Sequence, residues 1–145
     1  MELSNKSEYA LLALLELASR YSSGESLQIR QMATLQDIPN RYLEQLLATL
    51  RRRGLIKSIR GAKGGYVLAR DPQKITLLEA WSCIEGVEAV VTPKKQYPGT
   101  LENQVIHEIW QEARQAANSV LEHYTLHDLC ERRSKKRHKE LMYYI

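Results

Sequence analysis

Arg60-Gly61-Ala62-Lys63-Gly64-Gly65-Tyr66-Val67-Leu68-Ala69-Arg70-Asp71 is the stretch on which the reading of this chain turns. Two cations, Arg60 and Lys63, and three glycines lie between short runs of aliphatic, β-branched and aromatic residues at 55–59 (LIKSI) and 66–69 (YVLA). Such runs favour the extended pleat, while Gly61, Gly64 and Gly65 permit positive φ and close backbone approach, so the segment predicts a β-hairpin with a slim basic tip. A side chain at position 65 is then expected to obstruct a partner's approach more than it disturbs the fold.

Upstream, Tyr42, Leu43, Leu46, Leu47 and Leu50 recur at helical spacing, predicting a helix from Pro39 to Arg53 that stops on a basic run and Gly54. Proline near its start costs nothing, because the first N–H groups of a helix are unsatisfied anyway. The turn 36–39 (QDIP) separates it from a short helix at 27–35, with Ile29, Met32, Ala33 and Leu35 as its apolar set. A first helix of four or five turns precedes both, entered through a capping box of Asn5 and Glu8 and ended by 22–25 (SSGE). Two short helices at a tight turn followed by a basic hairpin make a winged helix-turn-helix. In that arrangement Asn40, Arg41, Glu44, Gln45 and Thr49, left outside the apolar stripe, are placed to meet base edges in a major groove; a solvated helix face is the plainer alternative.

Downstream, 71–72 (DP) breaks the pattern and 76–85 reads as a fourth helix with Leu77, Leu78, Trp81 and Ile84 apolar. Residues 87–100, with Pro93, Pro98 and Gly99, read as a loop. From Leu101 to Tyr124 a long helix is predicted, striped with Leu101, Val105, Ile109, Ala113 and Val120. A helix of that length has little domain left to bury its stripe against, which favours a second copy as partner over packing within a monomer. The expected organisation is therefore a DNA-binding unit at 1–86, a loop at 87–100, a dimerisation helix with a short following helix at 101–133, and a basic tail at 134–145. The fold class is mainly α with a small β-hairpin wing.

At 145 residues and 43% hydrophobic content the chain is large enough for one core. Its net charge of +4 is unevenly spread: residues 30–74 carry ten Lys/Arg against three Asp/Glu, and residues 75–131 carry three against nine. Positive charge gathered around the hairpin is the footprint of a nucleic-acid binder, whereas the acidic block is poorly suited to phosphate. Two widely separated cysteines, Cys83 and Cys130, argue against a disulfide framework and fit a reducing cytoplasm. The early apolar run 10–15 is short and flanked by Glu8 and Glu16, so neither a signal nor a membrane span is expected.

The segments LSNKSEYALLALLELA (3–18), RYLEQLLATLRRRGLIKS (41–58), RGAKGGYVLARDP (60–72), ITLLEAW (75–81) and TLHDL (125–129) together resemble the Rrf2 family of bacterial transcription regulators. The resemblance implies a cytoplasmic homodimer that binds double-stranded DNA through a winged helix-turn-helix at each end of a long-helix interface. Carried over by position, it places Asn40, Arg41, Tyr42, Glu44 and Gln45 in the major groove or on its flanking phosphates, and Arg60 and Lys63 in or beside the minor groove. Side-chain chemistry agrees: Arg41 suits guanine, Gln45 adenine and Glu44 the cytosine amino group. Tyr42 also suits a buried ring. Arg51, Arg52 and Lys57 read as phosphate contacts, which add affinity without sequence information.

One departure from the family pattern matters. Many members hold an iron–sulfur cluster on three cysteines in the loop before the long helix, with a further ligand such as a histidine at its start. Here no cysteine lies between Thr92 and Gln104; on alignment at Trp110, His107 takes the histidine position and Gln104 that of the last loop cysteine. Amide and hydroxyl groups do not replace thiolates on soft iron sites, so no metal site and no cofactor are expected. Glu8, where some relatives place a carboxylate ligand, reads here as a helix cap. A sensor with an atypical cluster or thiol switch is the alternative within regulation, and a winged-helix protein adaptor the alternative outside it. No nucleophile elbow, phosphate loop or metal-spaced cluster points to an enzyme. The effector and the operator are not legible.

Overall fold

A computed structural model of the chain describes residues 2–86 and 99–144. The first three helices are α1 (Asn5–Ser19), α2 (Ile29–Gln36) and α3 (Asn40–Arg52). The hairpin strands β1 (Ile56–Ile59) and β2 (Gly65–Leu68) follow, then a 3-10 turn (Pro72–Lys74), α4 (Leu77–Glu85), α5 (Leu101–His123) and α6 (Leu126–Tyr143). Most of the segment expected as a loop, 87–98, lies outside the described residues.

The core gathers around α1, which offers Ala10, Ala13, Leu14 and Leu17 to Leu43, Leu46, Leu47 and Leu50 of α3. Leu55, Ile56, Leu68, Ile75 and Leu126 close it, all fully or nearly buried. Small residues on the buried face of α1 let neighbouring helices approach, and the leucines of α3 supply the apolar area. The entry to α1 differs from the expected Asn5–Glu8 capping box. Ser4 is the cap, its hydroxyl accepting from the Ser7 N–H at 3.1 Å, and Asn5 is already helical. Serine competes for the cap as well as asparagine does, and here it gains a second use. The Ser4 and Ser7 hydroxyls both donate to the Glu85 carboxylate at the end of α4, holding that carboxyl below its ordinary range.

The hairpin pairs antiparallel from Ile56 opposite Leu68 to Ile59 opposite Gly65. Its second strand is also tied to the chain between α1 and α2, through Leu27 N–H to Tyr66 C=O at 3.0 Å and Tyr66 N–H to Leu27 C=O at 2.7 Å. Gly65, at φ +152°, lies at this seam, and a Cβ there would sit 2.5 Å from the Leu27 carbonyl oxygen. The reason for glycine at 65 is therefore inside the protein, not at the approach of a partner as the sequence reading expects. Ser26 adds a hydroxyl bond to the Lys63 carbonyl at 2.7 Å, so the wing tip is fastened on both flanks.

The C-terminal region departs furthest from expectation. The sequence pattern predicts a short helix ending near Arg133 and a basic tail from 134, whereas α6 continues unbroken through Tyr143. Its start is fixed by a capping box in which Thr125 and Asp128 bond each other's backbone N–H. No glycine or proline interrupts the run from Leu126 to Tyr143, and Lys, Arg, Glu, Leu and Met are all good helix formers, so propensity carries the helix on. Nor does the C-terminal part stand apart from the first 86 residues. Leu77 N–H bonds Tyr124 C=O at 2.8 Å, Leu126 N–H bonds Ile75 C=O at 3.0 Å, and the first half of α6 packs along α1.

Candidate nucleic-acid interface

Burial of the leucine stripe fixes the rotation of α3, and that rotation decides which side chains are left outside. Leu43, Leu46, Leu47 and Leu50 face the core. Asn40, Arg41, Glu44 and Gln45 are exposed on the first two turns, Arg51 and Arg52 on the last. Tyr42 stands apart from this set: it is half-buried, its ring edge-on to Tyr9 with centroids 5.6 Å apart, so packing is its first task.

Gly54, at φ +78°, turns the chain from α3 straight into β1, where Lys57 is exposed. Arg60 and Lys63 are exposed at the wing tip. Among the described residues no ion pair engages Arg41, Arg51, Arg52, Lys57, Arg60 or Lys63. Cations left uncompensated on the surface keep their full charge for phosphate, and their field draws a polyanion. Arg70, by contrast, is committed to Glu79. The sequence reading missed Arg30, exposed on the first turn of α2, the helix that crosses the DNA backbone in helix-turn-helix proteins. Its place within the basic block was the available signal.

A buried carboxylate joins this head to the rest of the chain. Glu16 of α1, 4% exposed, accepts from Arg20 at 2.7 Å, from Gln36 at the end of α2 at 2.6 Å and from Arg133 of α6 at 2.8 Å. Burial pushes its carboxyl up, but the bonds from Arg20 and Gln36 and the charges of Arg133 and Arg20 outweigh that and hold it below the ordinary range. Gln36 ends α2 only three residues before the turn delivers the chain to α3. One side chain thus spans from the C-terminal helix to the helix-turn-helix.

The expected dimer face is bare. Along α5 no residue is buried, and Leu101, Val105, Ile109 and Val120 are each at least 49% exposed, with Ala113 exposed beside them.

Candidate metal donors are dispersed. Cys83 on α4 and Cys130 on α6 are free, half-buried thiols packed against the core, and burial pushes both thiols up. Cys130 points its sulfur at the Leu15 carbonyl, 3.9 Å away. Among the described residues no three His, Cys, Asp or Glu side chains form a metal-sized group. Glu8 is exposed and His107 lies on the first two turns of α5. Protonated thiols turned toward a core do not make the thiolate set that iron–sulfur clusters need, so these residues do not fit such a group.

Comparison with known proteins gives consistent matches. Residues 3–132 match the Rrf2 family, described as an iron-dependent transcriptional regulator. The HTH-type transcriptional regulator CymR of Bacillus subtilis (strain 168) is 37% identical over 129 residues, covering 89% of each chain. An HTH-type transcriptional regulator IscR of Cereibacter sphaeroides is 43% identical over 86 residues, 59% of this chain and 56% of that one. Among solved structures, CymR, the global cysteine regulator of B. subtilis, superposes with a TM-score of 0.77 at 34% identity, covering 90% of this chain and 97% of that one. T. potens IscR gives 0.74 at 29% identity, covering 90% and 87%. No described helix is long and apolar enough to cross a membrane.

Proposed function

Because this chain belongs to the Rrf2 family of helix-turn-helix, DNA-binding transcriptional regulators, we propose that it acts as a homodimeric repressor on a palindromic operator, without an iron–sulfur cluster. The observation that carries this reading is the pairing of two bare surfaces. One is the uncompensated cationic and polar set on α3 and the wing; the other is the apolar face of α5.

In this reading Arg41, Glu44 and Gln45 read base edges in the major groove, with Asn40 at its margin. Arg30, Arg51, Arg52 and Lys57 hold phosphates and set the register. Arg60 and Lys63 enter or flank the minor groove, where a narrow groove concentrates negative potential. Tyr42 braces α3 against Tyr9. Two copies joined through Leu101, Val105, Ile109, Ala113 and Val120 then present two reading heads, and the operator symmetry mirrors the protein's. Repression follows from occupancy of the operator.

Selection of bound fragments from genomic DNA, followed by footprinting, tests this directly. Two protected half-sites related by a dyad are expected. A single unsymmetric half-site, or binding without sequence preference, would overturn it.

A further inference from the structure

Two basic blocks stand apart in the sequence, 30–74 around the wing and 132–139 near the C-terminus, with the acidic stretch 75–131 between them. The fold brings them together. Arg133 of α6 bonds the same Glu16 carboxylate as Gln36, the last residue of α2, and only residues 37–39 separate Gln36 from the first residue of α3. Arg133 is also the last residue of α6 with any cover, since from 134 to 144 every side chain is exposed. The helix therefore runs on from beside the helix-turn-helix, uncovered through 134–143, for about 15 Å at 1.5 Å per residue. Lys136 and Arg137 lie within about 6 Å of Arg133 along its axis.

We propose that this uncovered part of α6 holds DNA phosphates beside the half-site, a contact separate from those of α3 and the wing. The proposal rests on the DNA-reading role of α3 given above and enlarges the surface that DNA covers. The residues concerned lie beyond the family match, which ends at residue 132.

The charge pattern carries the choice of partner. Lys135, Lys136, Arg137 and Lys139 share 134–143 with a single carboxylate, Glu140, and among the described residues no ion pair engages any of them. Arg132 and Lys136, Lys135 and Lys139, and Lys136 and Lys139 are like charges three or four apart, which repel on a helix surface. A face that served only to keep the helix wet would alternate its signs, whereas a polyanion relieves the repulsion. The helix macrodipole does not account for the run either: cations gain from it in the last turn, and the last turn of α6 holds none. Lysine ammonium groups are point charges on flexible stems, suited to phosphate as a source of affinity without sequence information.

The test uses the full chain with Lys135→Gln, Lys136→Gln, Arg137→Gln and Lys139→Gln combined. Glutamine is a good helix former and all four positions are exposed, so circular dichroism and urea unfolding should be unchanged. On an operator duplex the salt slope should fall by about two units or more and affinity near physiological salt by about tenfold, with the ratio of cognate to scrambled affinity kept. Hydroxyl-radical footprints should lose protection beside each half-site and keep it within. Lys135→Arg, Lys136→Arg and Lys139→Arg combined should retain the wild-type slope, because the charge is retained. An unchanged slope and footprint in the glutamine variant, with two half-sites still protected, overturns the α6 contact and leaves the function reading standing. A glutamine variant that loses binding to phosphatidylglycerol vesicles while keeping its DNA slope overturns it too. If the wild type protects no half-sites, the function reading falls, and the same slope comparison on a duplex of arbitrary sequence decides the contact.

Discussion

Side chains of like charge are given unlike tasks by where the leucine stripe of α3 leaves them. Arg41 stands on its first turn beside Glu44 and Gln45, whereas Arg52 stands on its last, with a bond to the Thr49 hydroxyl at 3.3 Å. A bidentate contact to guanine is worth about 1–3 kcal/mol of discrimination, while a phosphate contact carries none. Arg41→Ala should therefore cost about 1–3 kcal/mol on the cognate site and relax base preference, as read by titration against cognate and scrambled duplexes. Arg52→Ala should weaken both duplexes alike and reduce the salt slope by about one unit. If both variants left the ratio of the two affinities unchanged, α3 would not be the reading helix. Gly65 has a separable role from its neighbours at the tip. Gly65→Ala drives a methyl into the Leu27 carbonyl, and should lower stability by about 1–3 kcal/mol in urea unfolding, in the range of backbone strain and broken buried contacts. The Arg60→Ala, Lys63→Ala pair should keep stability within about 0.5 kcal/mol and lose DNA affinity. Equal stability losses in the two variants would mean that the seam does not hold the wing.

Periodicity made the elements legible wherever one face is buried and the other wet. The stripe of α3 and the strand–glycine–strand pattern announce themselves in this way, and their observed ends lie within two residues of the readings; α5 is equally legible from the helical period of its apolar stripe, although none of its residues is buried. Three features were not legible, each for a physical reason. Ser4 and Asn5 are equally good caps by chemistry, and only the approach of Glu85 from α4 decides between them. The run 132–139 is charged around its whole circumference, so it has no apolar face to signal a helix, although nothing in it opposes one. Glu16 sits in the middle of an apolar helix and looks like an interruption, because its partners Gln36 and Arg133 are distant in sequence. That carboxylate now couples α1, α2 and α6. Its folded-state proton affinity is depressed, so its contribution to stability is present above the unfolded value near pH 4.3 and is lost as pH falls through the lowered folded value. Glu16→Gln should remove that acid limb and cost about 1–3 kcal/mol at neutral pH, discounted because Arg20 and Arg133 keep some solvent. Unfolding free energy measured in buffers from pH 7 down to pH 3 checks it; an unchanged acid limb in the variant would remove Glu16 from the coupling.

Over the whole molecule, charge and apolar surface divide the labour that a dimeric regulator needs. Positive charge gathers on the head built from α2, α3 and the wing, and the large apolar side chains left exposed lie mainly along α5 and at the C-terminal end of α6. The family is described as iron-dependent, yet among the described residues no three side chains that could bind iron come together. Cys83 and Cys130 belong to α4 and α6, both thiols face the core and are pushed toward their protonated forms, and residues 92–104 contain no cysteine. A thiolate-bound cluster needs deprotonated sulfur gathered at one point, and this arrangement disperses it. DNA binding should accordingly be indifferent to iron. Protein prepared with chelator and protein purified anaerobically from iron-replete cells should bind the operator with dissociation constants within about twofold of each other, well under the 1.4 kcal/mol that a tenfold change represents. His107→Ala should leave that comparison unchanged, and the anaerobic preparation should lack visible absorbance between about 320 and 600 nm, where thiolate-bound clusters absorb. Cys83→Ser and Cys130→Ser separate packing from sensing: exchange of a small apolar thiol for a hydroxyl at the core margin should lower stability modestly and leave operator affinity insensitive to mild oxidant. Iron and sulfide in stoichiometric amount, lost on His107→Ala or Cys130→Ser and accompanied by a change in operator affinity, would show that the scattered donors converge in the dimer after all.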